Sequence, residues 1–113
     1  MSLFDTFTFY RQHDAMQCGI TCLKMVCKYY GREYSLDELS KLCSTSRAGV
    51  TLLGINEAAS ELGFRTFCGK PTIEQLTEAP LPAILHWNQN HFVVLYKVKK
   101  LRNGKHRYYI ADP

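Results

Sequence analysis

The strongest periodicity in the chain starts at Cys18. Cys18, Cys22, Met25, Val26 and Tyr29 recur at i, i+4, i+7, i+8 and i+11, one face of a helix. Ile20, Leu23, Cys27 and Tyr30 widen that face, so the pattern predicts a helix over 18–30, buried on most sides and stopped by Gly31. Ser35-Leu-Asp-Glu38 has the form of a capping box and opens a short helix to about Leu42. Thr51 can cap a further helix ending at Gly63, with Leu53, Ala58 and Leu62 among its apolar positions. Phe64 to Cys68 reads as a short strand. Thr72-Ile-Glu-Gln75 caps a helix of about two turns, which Pro80 and Pro82 terminate.

The pattern then changes period. Ala83 to Trp87 is a strand candidate, Asn88-Gln-Asn90 has turn chemistry, and His91 to Lys99 is a longer strand rich in β-branched and aromatic residues. Asn103-Gly104 marks a reversal and His106 to Ile110 returns. Helices first and an antiparallel meander second make an α+β domain. Before Cys18 no period is clear; Phe7, Phe9 and Tyr10 alternate loosely, as in a short strand or an extended arm.

Composition narrows the class. With 113 residues, 46% hydrophobic and 21% charged, the chain suits one globular domain. No apolar run approaches the roughly 20 residues that cross a bilayer. The opening MSLFDTFTFY lacks the basic and apolar regions of a signal peptide. Five cysteines, an odd number, argue against a disulfide framework and for a reducing compartment. None has the Cys-x2-Cys spacing of a zinc knuckle, and His86 and His91 lack the opening half of a zinc module, so no metal is expected. Cys22, Cys27, Cys43 and Cys68 sit in apolar patterns and read as inert packing.

The net charge of +4 is concentrated. Six of the 14 basic residues lie between Lys97 and Arg107, where there is no acid; the remainder carries eight basic and ten acidic residues. Because the cations alternate with apolar residues around Asn103-Gly104, they read as a solvated hairpin arm, with contact to an acidic partner or membrane surface as the alternative. Nucleic acid is not expected.

Candidate chemistry lies at Gln12, Cys18, His91 and Asp112. Helix-start amides favour a Cys18 thiolate. A nucleophilic thiol needs a base, and the base an orienting acceptor. His91 opens one strand and Asp112 ends the strand returning beside it. Taken singly, each has an ordinary explanation: a packing cysteine, a turn histidine, a solvated acid. Spacing alone also permits a different thiol enzyme or a plain structural domain. There is a geometric tension as well. A two-residue Asn103-Gly104 turn sets Asp112 opposite Leu95, about 13 Å along the strand from His91. Pairing His91 with Asp112 directly moves the reversal to between Leu101 and Arg102. A longer loop or a bulge around residues 100–105 is therefore expected.

Gln12-His-Asp-Ala-Met-Gln-Cys18-Gly19 resembles the active-site segment of the bacteriocin-processing cysteine peptidases, the amino-terminal papain-like domains of peptidase-containing ABC transporters. The resemblance continues, in the family's order, through Cys22-Leu-Lys-Met, Tyr29-Tyr-Gly31, Gly49-Val-Thr-Leu52, Gly63-Phe64, Pro82-Ala-Ile-Leu85, His91-Phe-Val-Val-Leu95 and Ala111-Asp-Pro113. It implies a papain-like fold and an endopeptidase cutting leader peptides after Gly-Gly. In those roles Cys18 is the nucleophile, His91 the general base and acid, Asp112 the orienting residue and Gln12 the oxyanion donor. Gly49, Val50 and Trp87 are candidates for lining the substrate approach. Gln17 departs from the family's frequent Asp. The resemblance further implies that residues 1–113 are one peptidase domain excised from the amino terminus of a larger transporter at the cytoplasmic face of the bacterial inner membrane. Its partners are then a precursor with a Gly-Gly leader and the transporter's transmembrane and ATPase domains. No cofactor is expected here, ATP and Mg belonging to the ATPase domain. The alternative is a peptidase-like domain that binds export cargo without cutting it.

Overall fold

The structure is a computed structural model that describes residues 7–11, 17–43, 51–87 and 91–113, with only the backbone of Trp87. Gln12, Gly49, Val50 and residues 88–90, where a turn is expected, lie outside the described residues. Four helices precede three strands: α1 (Cys18–Tyr29), α2 (Leu36–Cys43), α3 (Leu52–Glu61), α4 (Ile73–Thr77), β1 (Ala83–Trp87), β2 (His91–Lys100) and β3 (His106–Ala111). The strands form an antiparallel sheet in the order β1-β2-β3. The predicted α+β division holds.

α1 is the central helix. It packs on β2 with one side and takes α2 and α3 on others, which is why its apolar surface is nearly all round. Ile20, Cys22, Leu23, Met25 and Cys27 are essentially inaccessible. They join Leu39, Cys43, Ile55, Ala58, Phe92 and Val94 in a single core. Burial of the larger of these side chains stabilises the fold by roughly 1.5–3 kcal/mol each.

Local chemistry sets the element ends. At α1, Gly31 at φ 80° takes the left-handed position; its N–H donates to the Lys28 carbonyl, and the Arg32 N–H reaches back to Cys27. Gly63 ends α3 in the same way, with Phe64 N–H returning to Ala59. The Arg32 guanidinium ties the two ends together, donating to the Leu62 carbonyl and lying over the Phe64 ring. Thr51 caps α3 by accepting from Gly54 N–H, and Thr72 and Gln75 form a complete capping box on α4. At α2 the Ser35 hydroxyl accepts from Glu38 N–H and itself donates to the Glu38 carboxylate.

Three expectations need correcting. Residues 64–70 form no strand, because Phe64 turns onto Arg32 and Tyr30 and the segment pairs with none of the three strands. Cys68 is exposed rather than packed, its thiol donating to Asn56 Oδ1 at 3.5 Å. α4 has five residues, shorter than two turns.

Candidate active site

Cys18 is the first residue of α1. Gln17 occupies the N-cap without a side-chain capping bond, and the first turn contains no acid. The positive end of the helix dipole lies at Cys18, with no carboxylate on the same turn to offset it. Cys18 as a residue is 5% exposed, and α1 packs against β2, the strand His91 opens.

His91 and Asp112 meet. His91 Nε2 donates to Asp112 Oδ1 at 2.5 Å. With Nε2 carrying the proton shared with the acid, Nδ1 is the basic nitrogen of the neutral ring. The pair is partly open, the histidine side chain 34% and the aspartate 65% exposed. An ion pair this wet contributes little to folding, so its consequence is orientation of the ring.

Register explains the encounter. Lys100 pairs with His106, and residues 101–105 make the reversal, longer than a two-residue turn. Extended inward without interruption, that pairing would set Asp112 opposite Val94, on the face away from His91. The register instead shifts between Leu95 and Lys97. Tyr96 is the extra residue, and Val94 comes to face Ala111. Asp112 then falls opposite Val93, two residues from His91 and on its face, about 7 Å along the strand. The longer loop is as expected; the bulge lies at Tyr96, outside residues 100–105. Its ring stacks on Phe7 at 4.8 Å, an anchor that sequence reasoning missed because Phe7 is distant in the chain and follows no period.

Cys22 sits one turn below Cys18 and is fully buried. Burial raises its pKa well above the usual thiol range, and negative charge on Cys18 and on Asp112 pushes the same way. Cys22 is thus within electrostatic reach of both, which brings the first turn of α1 and the end of β3 to one locality. Cys27 and Cys43 are pushed up to about 11, chiefly by burial. These three thiols stay neutral at pH 7 and are poor nucleophiles.

Of the other candidates, Trp87 pairs directly with His91 across β1 and β2. Gln12, Gly49 and Val50 lie outside the described residues. An open cleft of about 420 Å³ is lined by Gln17, Lys24, Ser35, Leu36 and Asp37; neither His91 nor Asp112 lines it. The Gln17 Oε1 is buried without a hydrogen-bond partner among the described residues. Among those residues no group of three or more His, Cys, Asp or Glu is arranged to hold a metal, and no helix is long and apolar enough to cross a membrane.

Comparison with known proteins extends the picture. The model of the Peptidase C39 family matches residues 6–113. The colicin V secretion/processing ATP-binding protein CvaB of Escherichia coli is 37% identical over 102 residues, 90% of this chain and 14% of that protein. The transport/processing ATP-binding protein ComA of Streptococcus pneumoniae is 36% identical over 104 residues, with the same shares. The chain therefore spans about a seventh of these relatives' length. Among solved structures, a double glycine motif protease from an AMS/PCAT transporter, in complex with the leader peptide, superposes with a TM-score of 0.84 at 33% identity, covering 96% of this chain and 75% of that one. The peptidase domain of Streptococcus ComA superposes at 0.76 and 29% identity, covering 95% of this chain and 79% of that one. The fold is the papain-like one anticipated, and the chain belongs to the Peptidase C39 family.

Proposed function

We propose that this chain is a cysteine endopeptidase that cuts leader peptides after a Gly-Gly motif. The observation that supports it most is the His91–Asp112 contact at the foot of the β2–β3 ribbon, on the strand against which the Cys18 helix packs. In this reading His91 Nδ1 takes the Cys18 proton and the thiolate attacks the carbonyl of the second glycine. The Cys18 N–H and the Gln12 side-chain amide donate to the tetrahedral oxyanion; one such donor is typically worth about 3 kcal/mol in the transition state. The imidazolium then protonates the leaving amine, which departs with the cargo peptide. A water, deprotonated by His91, hydrolyses the thioester and frees the leader. Asp112 holds the ring in the tautomer these steps need. Gly49, Val50 and Trp87 line the approach, and glycine at both positions before the cut fits a slot that rejects side chains by clash.

The relatives named above are secretion, processing and transport proteins. In the same reading residues 1–113 are the peptidase module of such a transporter, placed at the cytoplasmic membrane face beside transmembrane and ATPase parts. ATP and Mg are used in the ATPase part, and the peptidase chemistry needs no cofactor.

The test is incubation of the chain, under reducing conditions, with a synthetic precursor carrying a Gly-Gly leader, read by mass spectrometry. A single cut after the second glycine, abolished in Cys18→Ala with leader binding retained, is expected. Binding of the precursor without any cut would overturn the reading in favour of a cargo-holding domain. Selective alkylation of Cys22 rather than Cys18 would count against the nucleophile.

A further inference from the structure

Beyond the Tyr96 bulge, β2 and β3 continue as a two-stranded arm rich in exposed cations. Lys97, Lys99, Lys100, Arg102, Lys105 and Arg107 are exposed. The pairing puts Lys99 directly opposite Arg107, and Lys97 opposite Tyr109. Like charges directly opposite one another on a sheet are destabilising. No carboxylate relieves them: among the described residues the ion pairs are Lys28–Glu33 and His91–Asp112, neither on the arm. The cations instead gather on Tyr109, with Lys97 Nζ 5.1 Å from its ring centre. A hydrogen bond with Arg107 and, to a smaller degree, the charges of Arg107, Lys97 and Lys99 lower the Tyr109 pKa. At the tip, Asn103 Oδ1 accepts from Lys105 N–H and the Leu101 carbonyl accepts from Gly104 N–H. The reversal carrying Arg102 and Lys105 is therefore bonded in place.

A local rule is thus broken without an internal partner, which is the condition under which an external anion is the missing one. We propose that the Lys97–Arg107 arm docks on an anionic phospholipid surface. This rests on the reading of the chain as a transporter module, which puts a bilayer within reach. The cations lie on both faces and the tip of a narrow ribbon. That spread suits a diffuse sheet of headgroups, where each Lys or Arg contributes separately, better than a single strand tracked along one groove. Lys99 lies eight residues along β2 from His91, about 27 Å away. Docking and peptide cleavage are therefore separable.

The experiment is co-sedimentation of the 113-residue chain with vesicles of phosphatidylcholine, with and without phosphatidylglycerol. Binding is expected only to the anionic vesicles and is expected to fall as salt is raised. K99E/R107E should weaken it at least about thirtyfold, which is what losing two cation–headgroup attractions implies before the repulsion of the new carboxylates is added. K41E/K70E changes net charge equally on other exposed elements and should stay within about twofold. Failure to bind anionic vesicles overturns the proposal, as does equal loss in both variants or a preference for duplex DNA or polyglutamate at the same salt. Cleavage of a soluble Gly-Gly precursor, measured alongside, should be the same in K99E/R107E and wild type. If neither protein cleaves, the peptidase reading fails while the vesicle result stands by itself.

Discussion

On the inner side of Tyr96, β2 buries Phe92, Val93, Val94 and Leu95 and β3 closes on a buried Ala111; on the outer side the same two strands expose Lys97, Lys99, Lys100 and Arg107. The inner half has α1 packed against it and holds His91 and Asp112 in contact. Among the described elements, the outer half is held chiefly by its own ladder. The two halves are also one residue out of register, the bulge absorbing the difference between what the 101–105 loop sets and what the His91–Asp112 pair needs. One ribbon therefore carries a tightly specified site at its foot and a loosely constrained charged surface at its end. Specification comes from packing and register, and its absence leaves composition free to serve something else.

The largest effect should follow from breaking the inner pair. Asp112→Ala is expected to lower kcat for precursor cleavage by about 10³-fold, equivalent to about 4 kcal/mol, because the ring loses the acceptor that fixes its tautomer. Stability should hardly change, since the contact is half-open to water. Asp112→Asn keeps an acceptor oxygen and should recover most of the lost rate. Steady-state kinetics and a thermal melt on both variants check this. Equal defects in the two would mean that charge, rather than orientation, is what His91 takes from Asp112.

Next in size is the packing contrast. Leu95 is 0% exposed, and Leu95→Ala should cost about 3 kcal/mol of stability in urea denaturation. Val98, half-buried on the outer half, should lose less than about 1 kcal/mol on truncation to Ala. Similar costs would show that the arm is held by more than its own ladder.

Alkaline pH should separate the buried core from the charged arm by sign. A thiol kept protonated by the fold contributes stability that is intact below its ordinary pKa and lost as the pH rises toward its folded pKa. Cys27, pushed up from 9.0 to about 11, should thus account for about 1 kcal/mol of the stability lost between roughly pH 8 and 10. Cys43 acts the same way. Cys27→Ala should flatten the decline by that amount. Tyr109 runs oppositely: its lowered pKa makes the fold favour the phenolate as pH rises, so Tyr109→Phe should steepen the decline. Urea midpoints across that range measure both.

How much of this was legible follows the same division. The α1 face, the strand over 91–99 and the capping signals at Thr51 and Thr72 are local patterns, and they settled into the expected elements. The pairing of His91 with Asp112 was legible as a demand on register: Asn103-Gly104 alone set Asp112 opposite Leu95, so something had to shift. The position of the shift was not legible, because Tyr96 is held by stacking on Phe7 and that contact spans most of the chain. Phe64 to Cys68 misled for a related reason. Its apolar content signals a strand only if an edge accepts it, and no pattern along the chain shows which edges are available. Cys22 read as inert packing, which its burial supports, but its nearness to the charges of Cys18 and Asp112 comes from the packing of α1 on the sheet.

The smallest predicted effect tests the outer half by itself. Lys99 faces Arg107 across the ribbon, and both residues are exposed. Lys99→Thr removes the repulsion and supplies a β-branched residue suited to a strand. It should therefore raise stability by a few tenths of a kcal/mol, about 0.3, in urea denaturation at low salt. The gain should shrink as salt screens the pair. A substitution that stabilises the fold while weakening attachment to anionic vesicles is the outcome that distinguishes a functional charge from a structural one. A loss of stability in Lys99→Thr would instead mean that the lysine stem supports the ladder, and that the cross-strand charges are tolerated rather than kept.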